Sequence, residues 1–183
     1  MKQGKIVLIC GPSGVGKDSL ISAAKNYFKE NKFMNFVTRY ITRMPDSFEQ
    51  NYYVCREGFN TLKQSGFFLI WWESFGYLYG IPKYKIKDHC VNFLSVSRTV
   101  IKFFEENFKD VYTIFITADF NSVYKRLKKR NREDKDMIKK RLERFHLEFE
   151  AKNKIVFKNQ GPFDVVKENF ISLCMSFLNE IYK

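Results

Sequence analysis

The spacing that most clearly indicates chemistry lies in residues 11–17, where Gly11, Gly16 and Lys17 follow the pattern G-x-x-x-x-G-K. The pattern lies between an apolar run, residues 5–10, and a helix-like run that starts near residue 18, which is the context of a phosphate-binding loop. Glycines let backbone N–H groups point at a phosphate, and the following helix adds the positive end of its dipole. We therefore expect the loop to bind a nucleoside triphosphate, with Lys17 at the β- and γ-phosphates. The binding residues predicted in this way are Gly11, Pro12, Ser13, Gly14, Val15, Gly16, Lys17, Asp18 and Ser19.

Asp18 departs from this pattern, because Ser or Thr normally stands there and holds Mg²⁺. A carboxylate among phosphate-binding groups repels the nucleotide unless a cation lies between them. Residues 91–97, the next buried strand and its end, contain no acidic residue, although this strand usually supplies a second carboxylate near the metal. Our hypothesis is that Asp18 provides the missing negative charge to Mg²⁺, directly or through water. Asp119, at the end of another predicted strand, is the alternative ligand.

The composition indicates one cytosolic, globular domain. The 183 residues are 45% hydrophobic and 17% aromatic, which is enough for a packed core and excludes a disordered chain. No apolar run approaches the roughly 18–20 residues that span a membrane, and the N-terminus leads directly into a strand, so neither a membrane span nor a cleaved signal is expected. The four cysteines are scattered, which makes a zinc site improbable and reduced thiols the expectation. Cys10, His89 and His146 are interpreted as structural.

The positive charge is concentrated in one segment. The net charge is +12, and residues 125–144 contain eleven Lys or Arg against four acids. Such a segment is typical of a nucleic-acid surface, of a phosphate-handling part of an enzyme, or of a solvated helix face. No nucleic-acid-binding motif accompanies it, so nucleic acid is the weaker interpretation, and nothing in the sequence indicates an oligomeric state.

Strands and helices alternate along most of the chain, which predicts a parallel sheet between two layers of helices. Strands are expected at 5–10, 91–96, 111–116 and 154–157, and helices at 18–30, 100–108, 120–150 and 163–181. Residues 36–43 alternate at the strand period, and an aromatic-rich, mostly β segment follows to about residue 84. The expected fold class is therefore three-layer α/β/α with a parallel sheet and its core at 1–35, 86–119 and 151–183. A small, mostly β insertion at 36–85 and a helical region at 120–150 complete it.

Taken together, these motifs resemble the guanylate-kinase-like branch of the P-loop kinases. Within that branch the chain is most similar to the ribose 1,5-bisphosphate phosphokinases, enzymes of phosphonate degradation. The matching residues are collinear from about residue 6 to the final helix. They are the loop through Leu20, Arg39-Tyr40-Ile41-Thr42-Arg43, Trp72-x-x-x-Gly76-x-x-Tyr79-Gly80, Ser97-Arg98, and Arg126-Leu127-x-x-Arg130-x-Arg132-Glu133 leading to Arg141-Leu142.

Departures from guanylate kinases favour the phosphokinases. Guanylate kinases resemble T-T-R-x-P-R followed by G-E, whereas here Asp46 stands in place of the second arginine and Phe48-Glu49 in place of Gly-Glu. Loss of one arginine would weaken monophosphate binding, since charge-assisted hydrogen bonds contribute about 1.5–3 kcal/mol each. Asp18 is also the phosphokinase form of the loop.

The resemblance implies ATP- and Mg²⁺-dependent phosphorylation of a small phosphorylated sugar, ribose 1,5-bisphosphate, to 5-phosphoribosyl 1-diphosphate. It implies that residues 36–85 form an acceptor-binding insertion and that residues 120–150 form a helical lid of a P-loop kinase. It also implies that the transferring charge is stabilised by Lys17, Arg130, Arg132 and Arg141, the arginines acting from that lid. It implies an acceptor site built from Arg39, Arg43, Glu49, Trp72, Tyr79, Ser97 and Arg98. Arg98 follows a buried strand at the edge where open α/β sheets bind ligands. Asn159 is expected near adenine.

Two other functions remain open. A guanylate-type nucleoside monophosphate kinase would share nearly all of these motifs. A non-catalytic binding module on the same fold would use the basic segment, although such modules tend to lose the phosphate loop, which is intact here.

Overall fold

The central β-sheet of the computed structural model has five strands, all parallel. The structure describes residues 4–44, 51–129, 143, 145 and 149–179. The strands are β1 (Lys5–Cys10), β2 (Met34–Val37), β7 (Val91–Ser95), β8 (Val111–Thr117) and β9 (Lys154–Lys158), in the order β2-β7-β1-β8-β9. All six residues of β1, in the middle, are buried, as expected for a strand covered on both faces.

Helices cover one face of this sheet, and a helix and a second sheet cover the other. Val7 and Ile9 of β1 pack against α1 (Lys17–Tyr27), α4 (Phe120–Lys129) and α5 (Phe163–Asn179). Ile6 and Leu8 point the opposite way, toward α3 (Ile101–Asn107) and the second sheet. This arrangement confirms the predicted three-layer α/β/α class.

The second sheet has the order β4-β3-β6-β5. Its strands are β3 (Tyr40–Ile41), β4 (Tyr52–Tyr53), β5 (Phe68–Ser74) and β6 (Tyr77–Pro82), and α2 (Arg56–Gln64) covers its outer face. Phe59 of α2 packs against Phe68 and Leu78 in a separate apolar cluster. The segment that was predicted to be mostly β therefore forms its own small layered unit.

The single strand predicted over residues 36–43 is wrong, because the structure divides it between the two sheets. Residues 34–37 pair with β7 in the parallel sheet, whereas Tyr40 and Ile41 pair with β6 in the second sheet. The chain leaves one sheet and enters the other at Thr38 and Arg39. Each half of this segment consists of two apolar residues followed by two polar ones, so the residue pattern alone does not reveal the change of partner.

Of the helix predicted over 120–150, the structure describes α4, and most of the remainder lies outside the described residues. In the part of the chain that the structure covers, no helix is both long and apolar enough to cross a membrane.

Asn92 fixes the edge of the parallel sheet that lies away from the phosphate loop. Its side-chain nitrogen donates hydrogen bonds to the carbonyls of Lys5, Lys87 and Cys90, at 3.3, 2.9 and 3.2 Å. Its Oδ1 accepts from the Asn35 side chain at 2.7 Å and from the Lys87 N–H at 2.9 Å. A fully buried amide thus joins two strands and the segment that precedes β7.

Asn92→Leu is expected to lower the free energy of unfolding by about 1–3 kcal/mol, because it leaves buried backbone groups without hydrogen bonds. Urea denaturation followed by circular dichroism measures this. The control is Asn107→Leu, which removes an exposed amide that donates to the Phe103 carbonyl, and it should cost under about 0.5 kcal/mol. Equal losses in the two variants would contradict the role of Asn92.

Candidate active site

Two glycines in the loop between β1 and α1 lie where its backbone comes very close to other side chains. Gly14 and Gly16 have φ values of 83° and 89°, which residues with a side chain rarely adopt. A Cβ at Gly14 would lie 2.9 Å from Cγ of Leu127, and one at Gly16 would lie 2.5 Å from the side-chain nitrogen of Asn159. The loop backbone therefore lies directly against α4 and the end of β9, in the shape that turns N–H groups toward a phosphate.

The Val15 carbonyl holds the loop in place from behind. It accepts a hydrogen bond from the Asn159 side chain and another, 3.3 Å long, from the Arg126 guanidinium on α4. The Val15 side chain is buried in the core. Asn159, predicted near adenine, is buried here and supports the loop from beneath.

The Lys17 side chain folds back over the loop residues that precede it. Its Nζ donates hydrogen bonds to the carbonyls of Gly11 and Pro12 at 2.9 and 3.0 Å. Helix α1 begins at Lys17, so the positive end of its dipole lies at the same point. Burial raises the pKa of the Cys10 thiol to about 12, although the charges of Lys17 and Arg98 oppose that rise. Cys10 is thus a neutral structural thiol, and two cations lie near the carboxyl end of β1.

An open cleft lies beside the loop, between α1 and the carboxyl ends of β2 and β7. The α1 wall carries Asp18, Ile21, Ser22 and Lys25, and the other walls consist of residues 36–39, Asn51, Phe93 and Ser95. Asp18, the only acid among the described lining residues, therefore faces this cleft.

Arg39 is held rigidly in the wall opposite α1. Its guanidinium donates hydrogen bonds to the Ser95 carbonyl at 3.0 Å and to Asn51 Oδ1 at 3.3 Å. Its Cζ lies 5.6 Å from the centre of the Tyr79 ring, and Tyr79 stacks on Trp72 with centroids 5.6 Å apart. Trp72 is only 6% exposed and belongs to the core beneath the second sheet. The two aromatic residues predicted in the acceptor pocket thus support Arg39 from behind and do not line this cleft.

Three further predicted residues lie at the carboxyl edge of the parallel sheet. Ser97 caps a short 3₁₀ turn, where its hydroxyl oxygen accepts from the N–H and the hydroxyl of Thr99. Arg98 begins that turn and is half-buried. Asp119 caps α4, because its carboxylate accepts from the Ser122 N–H at 2.8 Å. The hydrogen bonds from Ser122 lower the pKa of the Asp119 carboxyl, with a smaller contribution from the Arg126 charge.

The remaining predicted residues are not placed in this cleft. Arg43 is half-buried two residues beyond β3. Glu49, Arg130, Arg132 and Arg141 lie outside the described residues.

Three residues at the site were not predicted. Arg126 appeared only within a matched motif, Asn51 follows no recognisable pattern, and Lys25 has the sequence context of an ordinary lysine near a helix end. Only the spacing of Lys25 seven residues after Asp18, which puts both on one helix face, could have indicated it.

The donor groups of the cleft fit Mg²⁺ only with help from a substrate. The described part of the chain contains no cluster of three His, Cys, Asp or Glu side chains that could hold a metal alone. Mg²⁺ is usually bound by one or two carboxylates together with substrate phosphates and waters. A single carboxylate at Asp18, beside a phosphate loop, is compatible with that mode of binding.

The family model described as guanylate kinase matches residues 3–169. The chain belongs to the guanylate kinase family. Its relatives in the family include a ribose 1,5-bisphosphate phosphokinase of Rhizobium etli, 31% identical over 99% of this chain and 94% of the relative. Another, from Burkholderia pseudomallei, is 33% identical over 79% of both chains. Kinases are phosphotransferases, so this member of the family is a phosphotransferase.

Solved structures show the same fold. A guanylate kinase from Anaplasma phagocytophilum superposes with a TM-score of 0.63 at 20% identity, covering 100% of this chain and 88% of its own. A gluconokinase from Sinorhizobium meliloti gives a TM-score of 0.52 at 11% identity, covering 100% and 98%. Kinases of this family phosphorylate small acceptors with ATP and usually require Mg²⁺.

Asn159→Leu is expected to weaken ATP binding by about tenfold, because the Val15 carbonyl loses a buried hydrogen bond and the loop is then less well supported. Isothermal titration calorimetry measures the dissociation constant. Asn153→Leu is the matched control, since Asn153 bonds the Val111 carbonyl at 2.9 Å at the opposite end of β9. It should lower stability and leave ATP affinity unchanged. An equal effect of both variants on ATP affinity would contradict the role of Asn159.

Proposed function

We propose that the protein transfers a phosphoryl group from ATP to ribose 1,5-bisphosphate, which gives 5-phosphoribosyl 1-diphosphate and ADP. The observation that carries this proposal is the name shared by its relatives: several ribose 1,5-bisphosphate phosphokinases are 30–34% identical over at least 77% of this chain. The cleft beside the phosphate loop supports it, because its described lining includes two cations.

In the proposed reaction an oxygen of the acceptor's 1-phosphate attacks the γ-phosphorus of ATP, and the bond to the β-phosphate oxygen breaks. The loop N–H groups hold the β- and γ-phosphates, and Lys17 exchanges its carbonyl partners in the loop for phosphate oxygens. Arg39, held by Ser95 and Asn51, fixes the reacting phosphate from the opposite wall. Positioning of this kind supplies most of the rate in phosphoryl transfer.

Other roles in the proposal depend on the sequence. Arg43, Arg98 and Glu49 would contact the acceptor, while Arg130, Arg132 and Arg141 would neutralise charge on the transferring group from a lid at residues 120–150. Residues 36–85 would form the acceptor-binding unit. The enzyme would work in the cytoplasm, which supplies ATP and keeps its four free cysteines reduced.

Mg²⁺, when bound, would offset the negative charge of the ATP phosphates. Asp18 is the residue we propose to hold it, directly or through water. Asp18 lies one residue after Lys17, faces the cleft and makes no hydrogen bond or ion pair in the described part of the chain. Asp119, the alternative ligand, already caps α4.

The acceptor is tested with purified protein, ATP and Mg²⁺ by measuring ADP release with either ribose 1,5-bisphosphate or GMP. We expect kcat/KM to be at least about 100-fold higher for ribose 1,5-bisphosphate, since a missing charge partner at a built site costs orders of magnitude. Preferential turnover of GMP would show a guanylate kinase instead. No turnover of either acceptor would favour a binding module.

Asp18→Asn is expected to lower kcat about tenfold or more and to raise the Mg²⁺ concentration needed for half-maximal activity, because one negative charge next to the metal is lost. Activity is titrated with Mg²⁺ at fixed, saturating ATP. Asp164→Asn, at an exposed carboxylate on α5 paired with Lys167, should leave both values unchanged. A wild-type Mg²⁺ titration for Asp18→Asn would exclude this role.

A further inference from the structure

We propose that Lys25, assisted by Ser22, binds the second, non-reacting phosphate of the acceptor and so sets the preference for a doubly phosphorylated sugar. This inference rests on the proposed function and adds a specificity-determining residue to it. The phosphate concerned is the one at C5 of ribose 1,5-bisphosphate, since the one at C1 reacts.

The spacing on α1 places Lys25 on the side of the cleft where the phosphate at C5 would lie. Asp18, Ile21, Ser22 and Lys25 are separated by three, four and seven residues, so they lie along one face of the helix, and all four line the cleft. At about 1.5 Å of rise per residue, Lys25 lies roughly 10 Å farther along the helix than Asp18. The reacting phosphate must lie near Lys17, at the loop end of this face. A pentose extends away from it, toward Lys25.

The charge of Lys25 is available for a ligand. Its side chain is half-buried, yet it makes no hydrogen bond or ion pair with any residue of the described chain. Other lysines differ in this respect: Lys167 contacts Asp164 at 2.8 Å, and Lys102 lies 3.7 Å from Glu106. The α1 wall of the cleft therefore carries a positive charge that no described residue neutralises, and an anion in the cleft would supply its partner. The Ser22 hydroxyl, one turn earlier, offers a neutral donor beside it.

The other charges of the cleft do not substitute for Lys25. The Arg39 guanidinium is bound to the Ser95 carbonyl and to Asn51 on the opposite wall. Asp18 is negative and lies at the loop end, where it would repel a phosphate placed without a cation. Among the described lining residues, Lys25 is therefore the one cation on the α1 wall and the group suited to a distal phosphate.

A simpler explanation is that Lys25 stabilises the C-terminal end of α1, since it lies in the last turn of that helix. This accounts for a positive charge near the helix end but not for its position on the cleft wall. Lys29 separates the two explanations, because it follows the same helix end, is exposed and does not line the cleft.

The test compares Lys25→Met, Lys25→Arg and Lys29→Met in steady-state assays with ribose 1,5-bisphosphate, using ribose 5-phosphate and ribose 1-phosphate as competitive inhibitors. For Lys25→Met we expect KM for ribose 1,5-bisphosphate and the inhibition constant of ribose 5-phosphate to rise about 10- to 100-fold. The inhibition constant of ribose 1-phosphate, KM for ATP and kcat should change less than about threefold. Lys25→Arg should stay near the wild type, and Lys29→Met should equal it.

Equal weakening of all three sugar phosphates by Lys25→Met, or no change in any, would overturn the subsite. The same conclusion follows if Lys29→Met reproduces the effect, since helix-end charge would then explain it. The wild-type assay separates this inference from the proposed function. If the wild type phosphorylates ribose 1,5-bisphosphate while Lys25→Met leaves KM unchanged, only the subsite is wrong. If the wild type does not use that sugar, both are wrong.

Discussion

The phosphate loop must keep its N–H groups turned inward, and that requirement governs the structure around it. A backbone in this shape turns carbonyls outward, and a buried carbonyl without a hydrogen bond is costly. Here the Val15 carbonyl accepts from Asn159 and Arg126, which lie on β9 and α4. Gly16 has no side chain because Asn159 occupies that space. The loop therefore depends on two elements that lie more than 100 residues later in the chain.

The acceptor side depends on a different kind of support. Arg39 lies where the chain leaves the parallel sheet for the second one, and its guanidinium is bound to the end of β7. Behind it, Tyr79 stacks on Trp72, which is buried in the core between the two sheets. The second sheet thus helps to hold the Arg39 guanidinium in a fixed position. The neighbouring strands β7 and β1 set the distance between that guanidinium and the loop.

The sequence patterns predicted those features that depend on the types and spacing of neighbouring residues. The loop, the buried run of β1 and the alternation of strands with helices were enough for the fold class and the edge of the sheet that carries the site. The break at Thr38 and Arg39 was missed because a change of strand partner leaves no trace in the period. The contacts of Asn159 with the Val15 carbonyl and of Trp72 with Tyr79 were missed for a related reason. Polar or aromatic residues near a site can support its backbone or line its cavity, and only tertiary contacts distinguish the two.

Phosphoryl transfer requires two anions to approach each other, so the distribution of charge matters more than its total. The chain carries a net charge of +12, and among the described residues two cations, Arg39 and Lys25, line the cleft. They are on separate walls: Arg39 is fixed by backbone and amide partners, and Lys25 is on α1. The single carboxylate at Asp18 lies at the loop end of the α1 wall, where the proposed metal ion between it and the phosphates would turn repulsion into attraction. In the proposed reaction the two separated cations would hold the acceptor at two points, which would fix its orientation as well as its position.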